Sequence, residues 1–317
     1  MKRPKHSTLA IALFTLCLGA SAAVAGGHPV YEFLRLPMNA RAAALGNTFL
    51  TVRNDPTLLF SNPGALASLE APAASVGFIK HLLDVNAGYA VYGQQYGELG
   101  YFAAGVVYMN YGSFDRTDKF GNDLGSTFSA GDLAVSLGYG NSSGNLSWGG
   151  AVKVIYSSIE SYSSAGLAVD AGVSYLFPEQ QVVLAASVLN AGTQISSYAG
   201  TTEDLPLDIR VGIGKKLEHL PLTIMLNFHK LNEDEDTFFD RFTKYSIGGE
   251  FELSESLRAR VGYFNEMRSE LKIGNTAKLA GFSGGFGLNV ASYVVDYAYT
   301  SFGEIGSMHR FSLGTTF

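Results

Sequence analysis

The chain has 317 residues, of which 47% are hydrophobic, 12% aromatic and 16% charged, and its formal net charge is −6. This apolar, weakly charged composition excludes an intrinsically disordered chain, and the negative charge excludes a strongly basic nucleic-acid-binding protein. The length permits one large domain or two of ordinary size. The excess of glycine (37 residues) and of aromatic residues favours β-structure.

Residues 1–25 have the layout of an export signal. Three of the first five residues are basic, Leu9–Leu18 form an apolar core, and Ala23–Ala25 form a small-residue cleavage site. The apolar core is too short to span a bilayer as a mature helix, and an amphipathic surface helix is the alternative. We expect an exported protein that is cleaved after Ala25 and therefore loses its single cysteine, Cys17.

Residues 26–70 show no strand-like alternation. Ala40–Leu45 predicts a short helix that ends at Gly46. Asp55-Pro56 predicts a second turn that begins with a capping side chain and a proline at the first helical position. The Asn62-Pro63-Gly64-Ala65 box follows and is expected to end that turn.

From residue 71 onward the sequence alternates between apolar and polar positions. In Leu207–Gly214, for example, every odd position is apolar and every even one is polar or glycine. Successive side chains of a strand point to opposite faces, so each such segment has one apolar and one polar face. We predict fourteen strands, near 74–80, 86–96, 99–110, 128–140, 145–157, 165–177, 180–191, 205–217, 220–231, 242–253, 256–264, 279–290, 292–301 and 307–317.

Short and long connections alternate between these segments. Tight turns are predicted at 97–98, 141–144, 178–179, 218–219, 253–255 and 291–292, and longer connections at 111–127, 192–204, 232–241 and 265–278. An even number of strands with alternating short and long connections is typical of outer-membrane barrels. In such a barrel the sheet must close on itself, because lipid offers no hydrogen-bond partner to the backbone groups of an open edge. A soluble β-sandwich is the alternative, but its outer face should be charged. The sequence therefore predicts a 14-stranded antiparallel transmembrane β-barrel over residues 71–317.

The end of the chain supports this fold class independently. Phe311, Leu313, Thr315 and the terminal Phe317 alternate with small or polar residues. This pattern resembles the final-strand signal that is read by the outer-membrane insertion machinery, while an ordinary amphipathic last strand is the alternative. We therefore expect that machinery as a partner, outer-membrane lipid as the surroundings, and the cell outer membrane as the location.

The interior of a fourteen-stranded barrel is too wide for its own side chains to fill, so we expect residues 26–70 to form an N-terminal hatch inside it. The polar strand faces carry charges of both signs: Asp132, Lys153, Asp170, Asp208, Arg210, Glu250, Arg258, Arg260 and Asp296. Buried charges are tolerated when they are paired, so we expect a charge network that joins wall and hatch. A selectivity ring for a permeating ion is the alternative.

Catalytic and metal-binding patterns are weak in this sequence. The histidines are scattered without metal-ligand spacing. His229 faces inward on the ninth predicted strand, but no serine and acid accompany it at a recognisable spacing. The acidic run Glu233–Asp236 lacks the spacing of a calcium loop. We therefore expect a protein that is not an enzyme and needs no cofactor or metal.

Several segments resemble a known group of barrels. They are Tyr31–Pro37, Ala40–Gly46, Asp55–Ala67 with its Asn-Pro-Gly-Ala box, Ser75–Leu82, Val107–Gly112, Tyr156–Leu167, Leu189–Thr193 and Leu205–Leu217. Together they resemble the fatty-acid-channel-like outer-membrane barrels of the PorV/PorQ type, which belong to the type IX secretion system. The box is shared by the wider superfamily, whereas Tyr156–Leu167 favours the PorQ members.

The resemblance implies a non-enzymatic component of protein secretion that anchors a surface attachment complex through its extracellular loops. It further implies PorZ, PorU and PorV-like proteins as partners, and no nucleic acid. The alternative function is a hatch-gated outer-membrane channel for long-chain fatty acids or other hydrophobic small molecules. An outer-membrane hydrolase is a third hypothesis, and it would require a His–Ser pair at hydrogen-bonding distance on the outer wall.

Overall fold

The computed structural model of the protein describes residues 29–80, 85–235, 237–272 and 278–317, so the expected export signal lies outside the described residues. The described residues form a closed barrel of fourteen antiparallel strands in which each strand pairs with its sequence neighbours and β1 pairs with β14. The predicted fold class is therefore confirmed. Within these ranges no helix is both long and apolar enough to cross a membrane.

The strands are β1 (Ala73–Lys80), β2 (Asn86–Gln95), β3 (Tyr101–Thr117), β4 (Asp123–Ser143), β5 (Leu146–Ile159), β6 (Tyr162–Phe177), β7 (Val182–Ser196), β8 (Asp208–Lys216), β9 (Leu222–Phe228), β10 (Tyr245–Glu252), β11 (Leu257–Phe264), β12 (Phe282–Val290), β13 (Tyr293–Ser301) and β14 (Ser307–Thr316). Two short α-helices lie outside the sheet, α1 (Ala40–Ala44) and α2 (Asn265–Glu270). We call the end of the barrel where β2 joins β3 the short-turn end, and the opposite end the long-loop end.

The connection predicted at 111–127 is wrong, because most of it is strand. β3 continues to Thr117 and β4 begins at Asp123, so that 118–122 alone connect them. Phe114 and Phe128 stack across this extension with ring centroids 5.4 Å apart. A hairpin that rises beyond the apolar band needs no apolar outer face, so the alternation that identifies the other strands is absent here.

The connection between β5 and β6 breaks the expected alternation of short and long connections. It consists of Glu160 and Ser161 alone, although it lies at the long-loop end. Glu160 adopts a left-handed backbone conformation with φ 57°, as a residue in a tight hairpin turn does.

The strands on the two sides of the barrel differ in length. β3 to β7 have between 14 and 21 residues, and we call them the tall wall; β8 to β11 have between 7 and 9, and we call them the short wall.

The local elements predicted between residues 29 and 70 are present. The side-chain oxygen of Asn39 accepts a hydrogen bond from the Ala42 N–H at the start of α1, and Gly46 follows the helix at φ 64°. Asp55 caps a 3₁₀ turn, Pro56–Phe60, by accepting from the Thr57 N–H at 3.0 Å. That turn ends before the Asn62-Pro63-Gly64-Ala65 box as predicted, but Pro63 then starts a further 3₁₀ turn, Pro63–Ser68.

The N-terminal segment passes through the barrel from the long-loop end to the short-turn end. The Val30 N–H donates to the carbonyl oxygen of Asp204, in the connection from β7 to β8, at 2.9 Å. α1 packs against β11 to β14 in the middle of the lumen, and the turn Pro63–Ser68 packs against β4 to β6. The chain then enters β1 at the short-turn end. This segment leaves an upper lumen, toward the long-loop end, that is less completely filled than the lower lumen.

Aromatic residues on the outer face gather near both ends of the strands. At the short-turn end, the rings of Tyr96 and Phe102 lie 5.5 Å apart and those of Phe102 and Tyr139 lie 5.2 Å apart. At the long-loop end, the rings of Tyr263 and Phe282 lie 5.0 Å apart. Two aromatic girdles of this kind are characteristic of membrane barrels.

The C-terminal residues keep the alternation that the sequence showed. Phe311 and Leu313 are 52% and 44% exposed on the outer face of β14. The Phe317 N–H donates to the carbonyl oxygen of Pro72 at 2.9 Å, which closes the barrel next to the start of β1. The role of these residues as an insertion signal stays a prediction.

Candidate functional site in the barrel lumen

An ion network in the lower lumen joins the N-terminal segment to the wall. Arg41 on α1 donates to both carboxylate oxygens of Glu250 on β10, at 2.9 and 2.8 Å. Arg260 on β11 donates to the same carboxylate at 2.6 Å and to Asp296 on β13 at 2.5 Å. Asp55 lies 3.4 Å from Arg41. We call these five residues the hatch–wall network.

The network keeps its buried cations charged. Burial alone would lower the pKa of the Arg41 guanidinium, but the attraction of Glu250 and its hydrogen bonds raise that pKa above the ordinary value. Two arginines and three carboxylates therefore neutralise most of one another's charge within the lumen, which is the condition under which buried charges persist. The network links α1 to three strands of the wall.

The remaining predicted lumen charges form separate groups within the wall. Lys153 lies 3.0 Å from Asp170, and Arg210 lies 2.6 Å from Asp208. Asp132 accepts a hydrogen bond from the Tyr111 hydroxyl at 2.6 Å instead of pairing with a cation. Half-buried Arg258 has no ion pair with any described residue. The expectation of one network that joins wall and hatch therefore describes Arg260 and Asp296, together with Glu250, and not the other six charges.

The Asn62-Pro63-Gly64-Ala65 box fits tightly against the wall at the short-turn end. The Asn62 side chain is fully buried and donates to the carbonyl oxygen of Leu50 at 3.1 Å. A Cβ atom on Gly64 would lie 2.2 Å from the carbonyl oxygen of Gly172 on β6, and one on Gly172 would lie 2.0 Å from the Asn62 side-chain oxygen. The absence of side chains at both glycines is what allows this contact.

The upper lumen contains a cavity of about 430 Å³. Apolar side chains from the N-terminal segment, the wall and α2 supply part of its lining: Phe33, Met109, Phe264, Met267 and Phe302. Charged side chains supply another part: Glu32, Arg35, Asp208, Arg210, Lys230, Glu266, Glu270 and Arg310. The cavity is thus amphipathic, and it lies above the hatch–wall network.

Most cations around the cavity have an acidic partner. Lys230 lies 2.7 Å from Glu266, and Arg35 lies 3.0 Å from Glu32 and 3.1 Å from Glu233 in the connection from β9 to β10. The pair between Arg35 and Glu233 joins the N-terminal segment to the connection from β9 to β10. These pairs also leave the cations little capacity to bind another anion.

Arg310 is different. It is 2% exposed, and it donates from Nη1 to the Thr300 hydroxyl at 3.0 Å. Its Nε atom is buried without a hydrogen-bond partner, and no carboxylate of the described residues forms an ion pair with it. The sequence analysis did not select this residue. The inward alternation of Met308, Arg310 and Ser312 in β14 is the signal that could have identified it.

Glu270 on α2 is a cavity residue whose pKa is shifted. Burial raises the pKa of its carboxyl group, and the nearby negative charge of Glu266 raises it further. Lys230 and Lys244 act in the opposite direction. The carboxyl group therefore takes up a proton more readily than an exposed glutamate does.

His229 forms a hydrogen bond that the sequence analysis did not foresee. Its Nε2 atom lies 2.7 Å from the Ser246 hydroxyl. In the antiparallel pairing Ser246 opposes Asn227, so it lies diagonally across from His229 on the same inward face. Burial, with a further contribution from Arg210, lowers the pKa of His229 to about 3. Ser246 is 0% exposed, so this pair lies inside the barrel and not on the outer wall, where the hydrolase hypothesis requires it. Within the described ranges, no group of three or more His, Cys, Asp or Glu residues is arranged to hold a metal ion.

Comparison with known proteins identifies the fold. Neither a family model nor a curated protein matches the sequence. Among solved structures, a deltaS2S3 mutant of the monoaromatic hydrocarbon channel TodX superposes with a TM-score of 0.63 at 12% identity, covering 88% of this chain and 99% of that one. The toluene transporter TbuX of Ralstonia pickettii gives 0.61 at 12% identity over 88% and 98%. A Pseudomonas aeruginosa FadL homologue gives 0.54 at 12% identity over 89% and 98%.

The barrel is therefore of the outer-membrane type. More particularly, its fold is the FadL-like one, with fourteen strands and an N-terminal segment inside the lumen. At this level of identity the likeness concerns the fold alone and does not extend to the PorV/PorQ type within it.

Proposed function

We propose that the protein is an outer-membrane channel for hydrophobic small molecules that carry one anionic group, such as fatty acids. The observation that carries the proposal is Arg310, a buried cation that has no acidic partner among the described residues and that lines an amphipathic cavity. The names of the solved neighbours, a toluene transporter and a hydrocarbon channel, support transport of hydrophobic molecules. On this proposal the long-loop end faces the cell exterior and the short-turn end faces the periplasm.

The cavity has the dimensions and chemistry for such a ligand. Its volume of about 430 Å³ lies within the usual range for small-molecule sites, roughly 300–1,000 Å³. A carboxylate would accept charge-assisted hydrogen bonds from the Arg310 guanidinium and offset the cost of burying that cation. The hydrocarbon chain would then lie against Phe33, Met109 and Phe264.

Passage from the cavity to the periplasm requires movement of the hatch. The turn Pro63–Ser68 and helix α1 fill the lower lumen, and the ion pair between Arg41 and Glu250 holds α1 against β10. A transport step must therefore separate this pair or shift α1 together with it. We propose that the channel is closed when the hatch–wall network is intact in this arrangement.

The test compares a fatty acid with its neutral counterpart. Binding of dodecanoate and of dodecanol is measured by calorimetry on the protein in lipid nanodiscs, for the wild type and for Arg310→Met. We expect the wild type to prefer the acid by about tenfold, since a hydrogen bond to a charged group contributes about 1.5–3 kcal/mol, and the variant to show no preference.

Arg258→Met is the matched control, because Arg258 lies in the lumen wall but does not line the cavity. It should keep the preference for the acid. Equal binding of acid and alcohol by the wild type, or a preference that persists in Arg310→Met, contradicts the proposal.

A second candidate function is the anchoring of a surface attachment complex, with PorZ, PorU and PorV-like partners. The extended hairpin of the tall wall favours it: β3 loses its β2 partner after Asn110, and β4 has no β5 partner before Ala130. The hairpin above these residues has two open backbone edges, which are sites of strand addition. The resemblance in sequence supports this candidate, and the solved neighbours favour the channel.

Replacing residues 112–128 by a two-residue turn tests this second function. Loss of co-purified surface proteins from native membranes, with dodecanoate binding unchanged, would support anchoring. Unchanged co-purification, or a barrel that purifies alone from both strains, would contradict it.

A further inference from the structure

The short wall does not by itself cover the thickness of a membrane. β9 has 7 residues, which at about 3.3 Å per residue makes it about 23 Å long. A tilt of roughly 40° reduces its height to about 18 Å, which is less than the apolar band of about 25 Å on barrels of this type. The outer surface above β9 must therefore be completed by something other than strand.

The connection between β9 and β10 supplies an aromatic cluster at this position. Phe228, the last residue of β9, faces outward, and the ring of Phe242 packs edge-on against it at 5.3 Å. The ring of Phe238 lies 5.6 Å from Phe242, and that of Phe239 lies 5.7 Å from Phe238. The cluster thus continues the lipid-facing surface of the wall upward, and its outer members, Phe238 and Phe239, are 55% and 78% exposed.

Polar contacts hold the other side of the same connection toward the barrel. Lys244 pairs with Glu233 and Glu235 at 2.5 Å each, and Glu233 also contacts Arg35 of the N-terminal segment. The Asp240 carboxylate accepts from the Thr237 N–H and hydroxyl at 3.1 and 2.8 Å, which fixes the turn that carries the two exposed phenylalanines. The connection is therefore amphipathic: Glu233, Glu235 and Lys244 are paired on one side, and Phe238 and Phe239 are exposed on the other.

We propose that the connection of residues 229–244 inserts Phe238 and Phe239 into the outer leaflet of the membrane. The occupant is lipid and not a protein partner, because the cluster is continuous through Phe242 and Phe228 with the lipid-facing wall. Aromatic rings are favoured at the boundary between headgroups and acyl chains. The inference depends on the barrel spanning a membrane and is independent of the transported molecule.

Phe120 provides the contrast. It is 79% exposed, but it lies at the tip of the extended hairpin between β3 and β4, where the ammonium group of Lys119 lies 5.0 Å from its ring. This tip is separated from the wall by the unpaired part of the hairpin, so we expect it to stand in water above the membrane.

Tryptophan fluorescence in vesicles distinguishes the two positions. The single native tryptophan is first removed by Trp148→Phe, and Phe239→Trp or Phe120→Trp is then introduced and reconstituted in phosphatidylcholine vesicles. A fraction of the lipid is brominated at a shallow position of the acyl chain, which quenches nearby indoles. We expect the brominated lipid to reduce the fluorescence intensity of the indole at 239 by about two-fold or more, and its emission to be blue-shifted. The indole at 120 should show little quenching.

Absence of quenching at 239 overturns the proposal. The proposal is also overturned if the blue-shifted emission of the indole at 239 appears only at high protein density in the vesicles. That result would show that a second copy of the barrel, and not lipid, covers this position. The electrophoretic shift of the folded barrel serves as the check that both variants are folded, because it does not depend on any ligand.

Discussion

The lower and upper halves of the lumen are built from the same kinds of residue but serve different purposes. Arg260 in the lower half and Arg310 in the upper half are each 2% exposed. Arg260 contacts the carboxylates of Glu250 and Asp296, whereas Arg310 has a threonine hydroxyl and an unpaired Nε atom. Pairing, and not burial, therefore distinguishes a charge that braces the structure from one that is available to a ligand.

Backbone packing follows the same division. In the lower half, a Cβ atom on Gly140 of β4 would lie 3.0 Å from the carbonyl oxygen of Pro63, and one on Gly64 would lie 2.2 Å from the carbonyl oxygen of Gly172 on β6. Such contact leaves no space for a ligand between the turn Pro63–Ser68 and the wall. In the upper half, the segment around Phe33 and residues of the wall and of α2 enclose the cavity of about 430 Å³.

The largest expected effect on stability comes from replacing each of the two arginines, Arg260 and Arg310, by methionine. Arg260→Met should destabilise the barrel by about 3–5 kcal/mol, because it leaves Glu250 and Asp296 buried with less compensation. Arg310→Met should cause no loss of stability, because it removes a buried cation that forms no ion pair with any residue in the described ranges. Urea unfolding in lipid vesicles, followed by the electrophoretic shift of the folded barrel, measures both. Equal destabilisation by the two substitutions would contradict the distinction between bracing and binding charges.

A smaller effect is expected where the hatch meets the wall. Gly64→Ala places a methyl group 2.2 Å from the Gly172 carbonyl oxygen, so the turn Pro63–Ser68 must shift, and such overpacking costs about 1–3 kcal/mol. Gly249→Ala on β10 is the control, because a Cβ atom there would meet its nearest neighbour at 3.5 Å, an ordinary contact. The same unfolding assay applies. A hatch that tolerates Gly64→Ala as well as the control would show that the box does not set the fit.

The sequence was informative wherever the structure depends on local patterns. Alternation predicted all fourteen strands, and Asp55 caps the turn that was predicted to begin there. Pairs across the barrel were not predictable, because Arg260 meets Glu250 and Asp296 through the register of four strands, β10 to β13. The extension of β3 and β4 was missed for another reason: above the membrane no apolar face is required, so the pattern that identifies a strand disappears.

The smallest effect concerns pH and the His229–Ser246 pair. The pKa of His229 lies at about 3, below the value of 6.5 for an unperturbed histidine. Between these values the unfolded chain binds more protons than the folded one, so this residue lowers stability as the pH falls below 6.5. At pH 5.5 the loss relative to neutral pH is about 1 kcal/mol.

His229→Gln isolates this contribution. The variant should lose less stability than the wild type between pH 7 and pH 5.5, by about 1 kcal/mol, whereas acid effects on the lumen carboxylates remain common to both proteins. His219→Gln, at an exposed position in the connection from β8 to β9, should leave the pH dependence of the wild type unchanged. Parallel pH profiles for His229→Gln and the wild type would mean that the ring accepts its proton inside the folded barrel, and that the upper lumen accommodates a second cation beside Arg210.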